Sequence, residues 1–233
     1  MCGRYALFWS ATDLSAHFGV PFDTEQLAPR YNLAPMQYTP VIVCDNGLVR
    51  AKIMRWGLSS PWLGDPQGAT HVTNTQVEKI TSRPAFQEAF ATHRALVPMN
   101  GYFEWEQTYY PWQRSAPGRH RYYITRGDGT PLAIAGLWEA SNASNNCSPA
   151  AFTLLTTRAN HRLRTINDRM PVILEPQHWS AWLSPETDPT TLLTLLKPYS
   201  PEELTCRQVS QRIDNLHNDD ASLIEPLDNA SVC

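Results

Sequence analysis

Apolar and polar positions alternate with period two across much of this chain, and the runs are short. Thr39–Cys44 and Leu48–Trp56 read as two strands around Asp45-Asn46-Gly47, a strong hairpin turn. Ala95–Pro98, Gly101–Glu106, Arg121–Thr125, Leu132–Glu139 and Phe152–Thr157 read as further strands, with Gly127-Asp128-Gly129 expected to turn a hairpin between two of them. Helical spacing is rarer. Thr12–Phe18 places Leu14 and Phe18 at i,i+4 behind a Ser10 or Thr12 cap. Val77–Thr92 carries Phe86, Ala89 and Phe90 on one face and is interrupted near Pro84, while His178–Leu183 and Pro189–Lys197 make short helices. Strands scattered among helices without a regular strand–helix–strand rhythm predict an α+β fold, a largely antiparallel, barrel-like β-sheet core with peripheral helices. No composition shift marks a boundary, so residues 1–233 are expected to form one domain.

Composition narrows the function classes. A 42% hydrophobic and 18% charged chain folds rather than staying disordered. A net charge of −3 argues against a strongly basic nucleic-acid coat protein, yet leaves room for a local basic groove. The five cysteines (2, 44, 147, 206 and 233) form no CxxC pair. With no charged-then-apolar leader at the start, they predict a reduced, cytoplasmic protein. No apolar run approaches the ~20 residues that span a bilayer, so no membrane partner is expected. Nothing suggests a metal or a cofactor.

Cys2 stands directly behind Met1. Loss of Met1 would leave one residue carrying a thiol and an α-amine, which titrate at about 8.5 and about 7.7–8.0 when unperturbed. An aldehyde meeting that pair can form a Schiff base with the amine and then close with sulfur into a thiazolidine; an N-terminal nucleophile can also act on a peptide bond. Arg4 follows the Cys2-Gly3 pair. Asn74 sits near an expected helix start, where capping is the commoner role for Asn. In Gly101–Glu106, alternation sets Tyr102, Glu104 and Glu106 on one face and Phe103 and Trp105 on the other. A carboxyl so enclosed by aromatics should have a raised pKa, suiting proton transfer, unless a nearby Arg pairs with it. Thr165–Val172 reads as a polar turn held by a salt bridge around Asp168 and Arg169.

MCGRY, RYNLAP (30–35), RWGL (55–58), the Asn74–Glu78 segment with SRPAF (82–86), GYFEW (101–105), LTTRAN (155–160), NDRMPVIL (167–174) and VSxxIDNxxND…LIEP (209–226) occur in this order. Together they resemble the SOS response-associated peptidase (SRAP) family over nearly the whole chain. The resemblance implies an abasic-site sensor in single-stranded DNA. It would form a covalent thiazolidine cross-link through Cys2 after Met1 removal, process its own N-terminus as a peptidase, and act as a monomer. Matched by position, Cys2 would be the nucleophile, Asn74 would orient the terminus or sugar, and Glu104 would be the general acid/base. Arg4 and Arg169 would contact phosphates, Pro35 and Thr156 would line the groove, and Trp62 would stack on bases. Three positions depart from the family pattern: Asn167 replaces a His that handles protons at the sugar, Gln76 replaces a phosphate-binding Arg, and Leu63 follows Trp62 where an aromatic is common. Asn167 does not titrate but still donates a hydrogen bond. Two other readings stand beside this one: a cysteine-type peptidase or hydrolase with incidental DNA binding, and a non-catalytic single-stranded-DNA-binding paralogue.

Overall fold

The computed structural model describes residues 2–23, 25, 27–59, 71–107, 120–140 and 150–227. In chain order the elements are β1 (Arg4–Leu7), α1 (Ala11–Phe18), β2 (Arg30–Leu33), β3 (Tyr38–Asp45), β4 (Leu48–Trp56), β5 (Leu58–Ser59), β6 (His71–Val72), β7 (Asn74–Gln76), α2 (Pro84–Thr92), β8 (Arg94–Met99) and β9 (Gly101–Trp105). They continue with β10 (Arg121–Arg126), β11 (Leu132–Glu139), β12 (Ala151–Arg158), β13 (Arg169–Pro171), α3 (Pro176–Leu183), α4 (Pro189–Leu195) and β14 (Leu204–Val209).

Two sheets carry the fold. One runs β14-β10-β9-β1-β2; the other runs β11-β8-β3-β4-β12-β13 and closes into a ring because β11 also pairs β12. Among the described residues every pairing is antiparallel except those of β12 with β4 and β7. The expected α+β, mainly antiparallel architecture with peripheral helices is what forms.

The β3–β4 hairpin follows from its turn. Asn46 and Gly47 adopt φ of 51° and 77°, the left-handed pair that two-residue hairpin loops require. Pairing starts immediately beyond it, at Asp45 opposite Leu48. Strand alternation then sorts side chains between two cores. Tyr5 lies directly opposite Tyr102 on β1 and β9, and both face the main core with Cys2, Trp56 and Phe152. Their neighbours Ala6 and Phe103 face a smaller cluster with Tyr123, Val209, Ile213 and Leu223.

Several expectations are corrected. Gly127-Asp128-Gly129 does not join a hairpin: β10 pairs β9 and β14, whereas β11 pairs β8 and β12. The turn passes the chain from one sheet to the other, and the Gly127 N–H is held by the Glu203 carbonyl at 2.7 Å. The Val77–Thr92 helix is a short 3-10 turn, Val77–Lys79, followed by α2, which begins at Pro84 because proline suits the first helical position. Asn74 belongs to a strand rather than to a helix start. Among the described residues Cys2 and Cys44 are free thiols. Among the described residues no helix is long and apolar enough to cross a membrane.

Candidate active site

Cys2 lies two residues before β1, where β1 runs between β9 and β2. It is fully buried. Its thiol points to the Arg4 carbonyl at 3.8 Å, and its own carbonyl accepts the Asn74 Nδ2–H at 2.9 Å. Asn74 can reach it because β7 pairs in parallel with β12, Asn74 standing opposite Leu154. The same amide donates to Thr73 Oγ1 at 3.3 Å, and its buried Oδ1 has no hydrogen-bond partner among the described residues. A buried acceptor left open is costly, and this one belongs to the carboxamide that holds Cys2.

Glu104 is the acid of this cluster, 3% exposed on the core-facing side of β9. One of its oxygens, Oε2, accepts the Asn167 Nδ2–H at 2.9 Å. The rotamer of Asn167 is fixed by two donors on its Oδ1: Gln107 Nε2 at 3.0 Å and the Arg169 backbone N–H at 3.1 Å. Asn167 therefore presents its NH₂ to Glu104 and cannot do otherwise without losing both bonds.

The electrostatics follow from burial. Desolvation raises the Glu104 pKa, while the amino-terminal charge and the Asn167 hydrogen bond pull it back. Desolvation also pushes the Cys2 thiol far above its ordinary value, and the Glu104 carboxylate adds to that shift. Tyr102 is raised for the same reasons, burial first and then Glu104 and Cys2. With Met1 in place, burial therefore favours the neutral thiol. The Glu104 pKa is raised, as its enclosed position in Gly101–Glu106 suggested.

The residues matched to DNA contacts are placed as follows. Arg4 is half-buried, donates through NH1 to the Gly3 carbonyl at 2.7 Å, and has no carboxylate within salt-bridge distance among the described residues. Pro35 is half-buried in the turn between β2 and β3. Thr156 is fully buried, and its carbonyl accepts from Arg169 NH2. Gln76 is half-buried and shares with Asn74, Lys79, Arg83 and Phe86 the wall of a cleft of about 160 Å³. Trp62 and Leu63 lie outside the described residues. Larger cavities of about 510 Å³ beside Trp179 and about 370 Å³ beside Arg30 contain none of these side chains.

Arg169 does not make the local salt bridge expected near Asp168. Its two terminal nitrogens clasp both oxygens of Glu78, at 2.8 and 2.9 Å. Glu78 and Gln107 are the site residues that motif reading passed over. Glu78 sits two residues beyond Gln76, and only the fold brings it across to a residue 91 positions away. Gln107 carries no signal in the sequence. His161 and His217 are exposed, and His71 is half-buried on β6.

The family model described as SOS response associated peptidase (SRAP) matches residues 1–216. The chain is 32% identical over 228 residues to "Abasic site processing protein YoaM" of Bacillus subtilis, covering 97% of this chain and 98% of that one. It is 23% identical to "Abasic site processing protein YedK" of Escherichia coli, over 97% and 100% of the two chains. A solved structure from Bacteroides thetaiotaomicron superposes with a TM-score of 0.83 at 22% identity, covering 97% of this chain and all of that one, and so shares the fold. The match spans Cys2, Asn74, Glu104 and Asn167, and this chain belongs to the SOS response-associated peptidase family.

Proposed function

We propose that this protein processes abasic sites, capturing them in single-stranded DNA through Cys2 once Met1 is removed, and that it works as a monomer without a cofactor. The observation that carries the reading is the Glu104 carboxyl, buried and bonded to Asn167, beside a Cys2 whose carbonyl Asn74 holds. The names of the relatives YoaM and YedK support the same substrate class.

The chemistry balances with these groups alone. The Cys2 α-amine attacks C1′ of the ring-opened deoxyribose aldehyde, forming a C–N bond, and the nitrogen proton passes to oxygen to give a carbinolamine. Neutral Glu104 donates a proton to that hydroxyl, which leaves as water and yields an iminium. The thiol then adds to the iminium carbon, its proton returning to the Glu104 carboxylate. Aldehyde plus aminothiol gives thiazolidine plus one water, and Glu104 ends as it began. The same carboxyl suits hydrolysis of the Met1–Cys2 bond, with water supplying the hydroxyl to the Met1 carbonyl and Glu104 passing a proton to the Cys2 nitrogen. Arg4 and Arg169 would bind flanking phosphates, with Pro35 and Trp62 beside the strand.

The test is a denaturing gel with abasic single-stranded DNA and wild type, Cys2→Ala and Glu104→Ala. A covalent band that needs Cys2 and weakens without Glu104 is expected; no Cys2-dependent band from wild type overturns cross-linking. Intact mass should show Met1 absent. One observation favours a binding-only role: Asn167 cannot titrate, and its amide is fixed as a donor. That role would give a native-gel shift with no covalent band.

A further inference from the structure

Arg169 lies directly opposite Arg158 across β12 and β13. Residues opposed in this way share a face of the sheet, and like charges there repel. An anion between them relieves the repulsion, and the structure supplies one. The Glu78 carboxylate takes both prongs of the Arg169 fork at 2.8 and 2.9 Å and lies within the field of Arg158, the two arginines together holding it ionised after its hydrogen bonds. The two partners are not equally fixed. The Arg169 side chain is 11% exposed and also tied to the Thr156 carbonyl, whereas the Glu78 side chain is 48% exposed on a short turn. The carboxylate is the member free to swing away.

From this we infer that Arg158 and Arg169 form a phosphate subsite which Glu78 occupies in the free protein, and that a DNA phosphate must displace Glu78 to bind. A carboxylate and a phosphate present the same paired oxygens to a guanidinium, so they compete for one fork. Once Glu78 leaves, two cations face the polyanion instead of a neutralised pair. Glu78 thus sets how tightly any strand is held. The exchange leaves the acid site standing, because Asn167 is held by the Arg169 backbone N–H and not by its guanidinium.

The inference rests on the single-stranded-DNA reading above, and one binding experiment separates the two. Fluorescence anisotropy with an unmodified, labelled oligonucleotide at fixed ionic strength avoids any covalent step. Glu78→Gln is expected to tighten Kd by about three- to tenfold, somewhat above what one exposed ion pair is worth alone. Glu88→Gln, which removes the same charge from the exposed face of α2, should change it less than about twofold. In an Arg169→Gln background the Glu78→Gln gain should shrink below about twofold. If Arg169→Gln does not fold by thermal melt, Arg169→Lys replaces it, keeping the charge without the fork. Glu78→Gln binding no tighter than wild type, or an undiminished gain in the Arg169 background, overturns the gate and leaves the DNA reading intact. No binding of single-stranded DNA by wild type or Glu78→Gln overturns both.

Discussion

Replacing Asn167 with Asp changes one heavy atom and tests the centre of the site directly. The Asp side chain keeps the Oδ1 that accepts from Gln107 and from the Arg169 N–H, but it turns the NH₂ facing Glu104 into a second carboxyl oxygen. Two ionised carboxylates at the 2.9 Å separation of the present bond would repel by about 6 kcal/mol at an effective dielectric of about 20. The folded pair escapes by keeping a proton that the unfolded chain gives up. That costs about 1.4 kcal/mol for each pH unit above an unfolded pKa near 4, or about 5 kcal/mol at pH 8. Wild type already carries part of this cost through the raised pKa of Glu104 itself, so the loss of the variant relative to wild type at pH 8 should be smaller than that figure but well above zero. The sign is fixed: a folded pKa above the unfolded one gives stability that is fully present at low pH and is lost as pH rises. At pH 4 the variant should therefore lie within about 1 kcal/mol of wild type. Urea unfolding followed by tryptophan fluorescence at both pH values measures it. A variant as stable as wild type at pH 8 would refute the placement of Asn167 against Glu104.

Glu104→Gln keeps an acceptor for Asn167 but removes the ionisable group. Its melting temperature should match wild type near pH 4 and exceed it increasingly above that, by about 2–4 °C for each kcal/mol, while cross-linking falls by about 100-fold or more. Asp219→Ala should cost about 2–4 kcal/mol in urea unfolding, because one carboxylate accepts from Arg30 Nε and from the Tyr31 and Asn32 backbone N–H groups; an unchanged midpoint would contradict that clamp. Gly101→Ala should cost about 3 kcal/mol or prevent folding, since its Cβ would stand 2.5 Å from Tyr123 Cζ and 2.6 Å from the Ile124 carbonyl oxygen.

Local chemistry was legible wherever one residue type has one strong preference. Asn46-Gly47 announced the β3–β4 hairpin, the Ser10/Thr12 pair announced a cap for α1 that Ser10 supplies, and Pro84 marked a break that proves to be the start of α2. β1, β2 and β7 were not legible, because strands of three or four residues carry too little alternation to stand above noise and exist through their partners. The Gly127–Gly129 turn shows the same limit: turn residues say that the chain reverses, not which sheet receives it. Motif order singled out Cys2, Asn74, Glu104 and Asn167, which the fold brings into contact as Cys2–Asn74 and Glu104–Asn167 pairs, and alternation put Glu104 on the face of Tyr102. Contacts between distant segments were beyond it, which is why Glu78, Gln107 and Asp219 emerge only from the fold. The last of these explains two motifs at once. RYNLAP and the C-terminal IDNxxND segment are two halves of one clamp, with Asn32 Nδ2 also donating to the carbonyls of Ile213, Asn215 and Asn218.

That clamp bears on how Cys2 reacts. β2 is the edge strand that it fixes, β1 pairs β2 with Tyr5 opposite Leu33, and Cys2 continues directly from β1. The terminus is therefore built into the sheet from both sides, by β2 and by β9, and its carbonyl is anchored by Asn74. A free terminal cysteine has two nucleophiles of comparable readiness at neutral pH. In the proposed mature protein, burial would separate them. The thiol is desolvated and faces the field of Glu104, so ionising it first would be the costly route. Under the proposed cross-linking, proton transfer through Glu104 would let the amine form its bond first, and the thiol would then add as the neutral group, giving up its proton only as the C–S bond forms. On this reading the apolar packing around Cys2 sets the order of the two bonds, and a Cys2→Ser variant should form the imine, trapped by borohydride, without closing the ring.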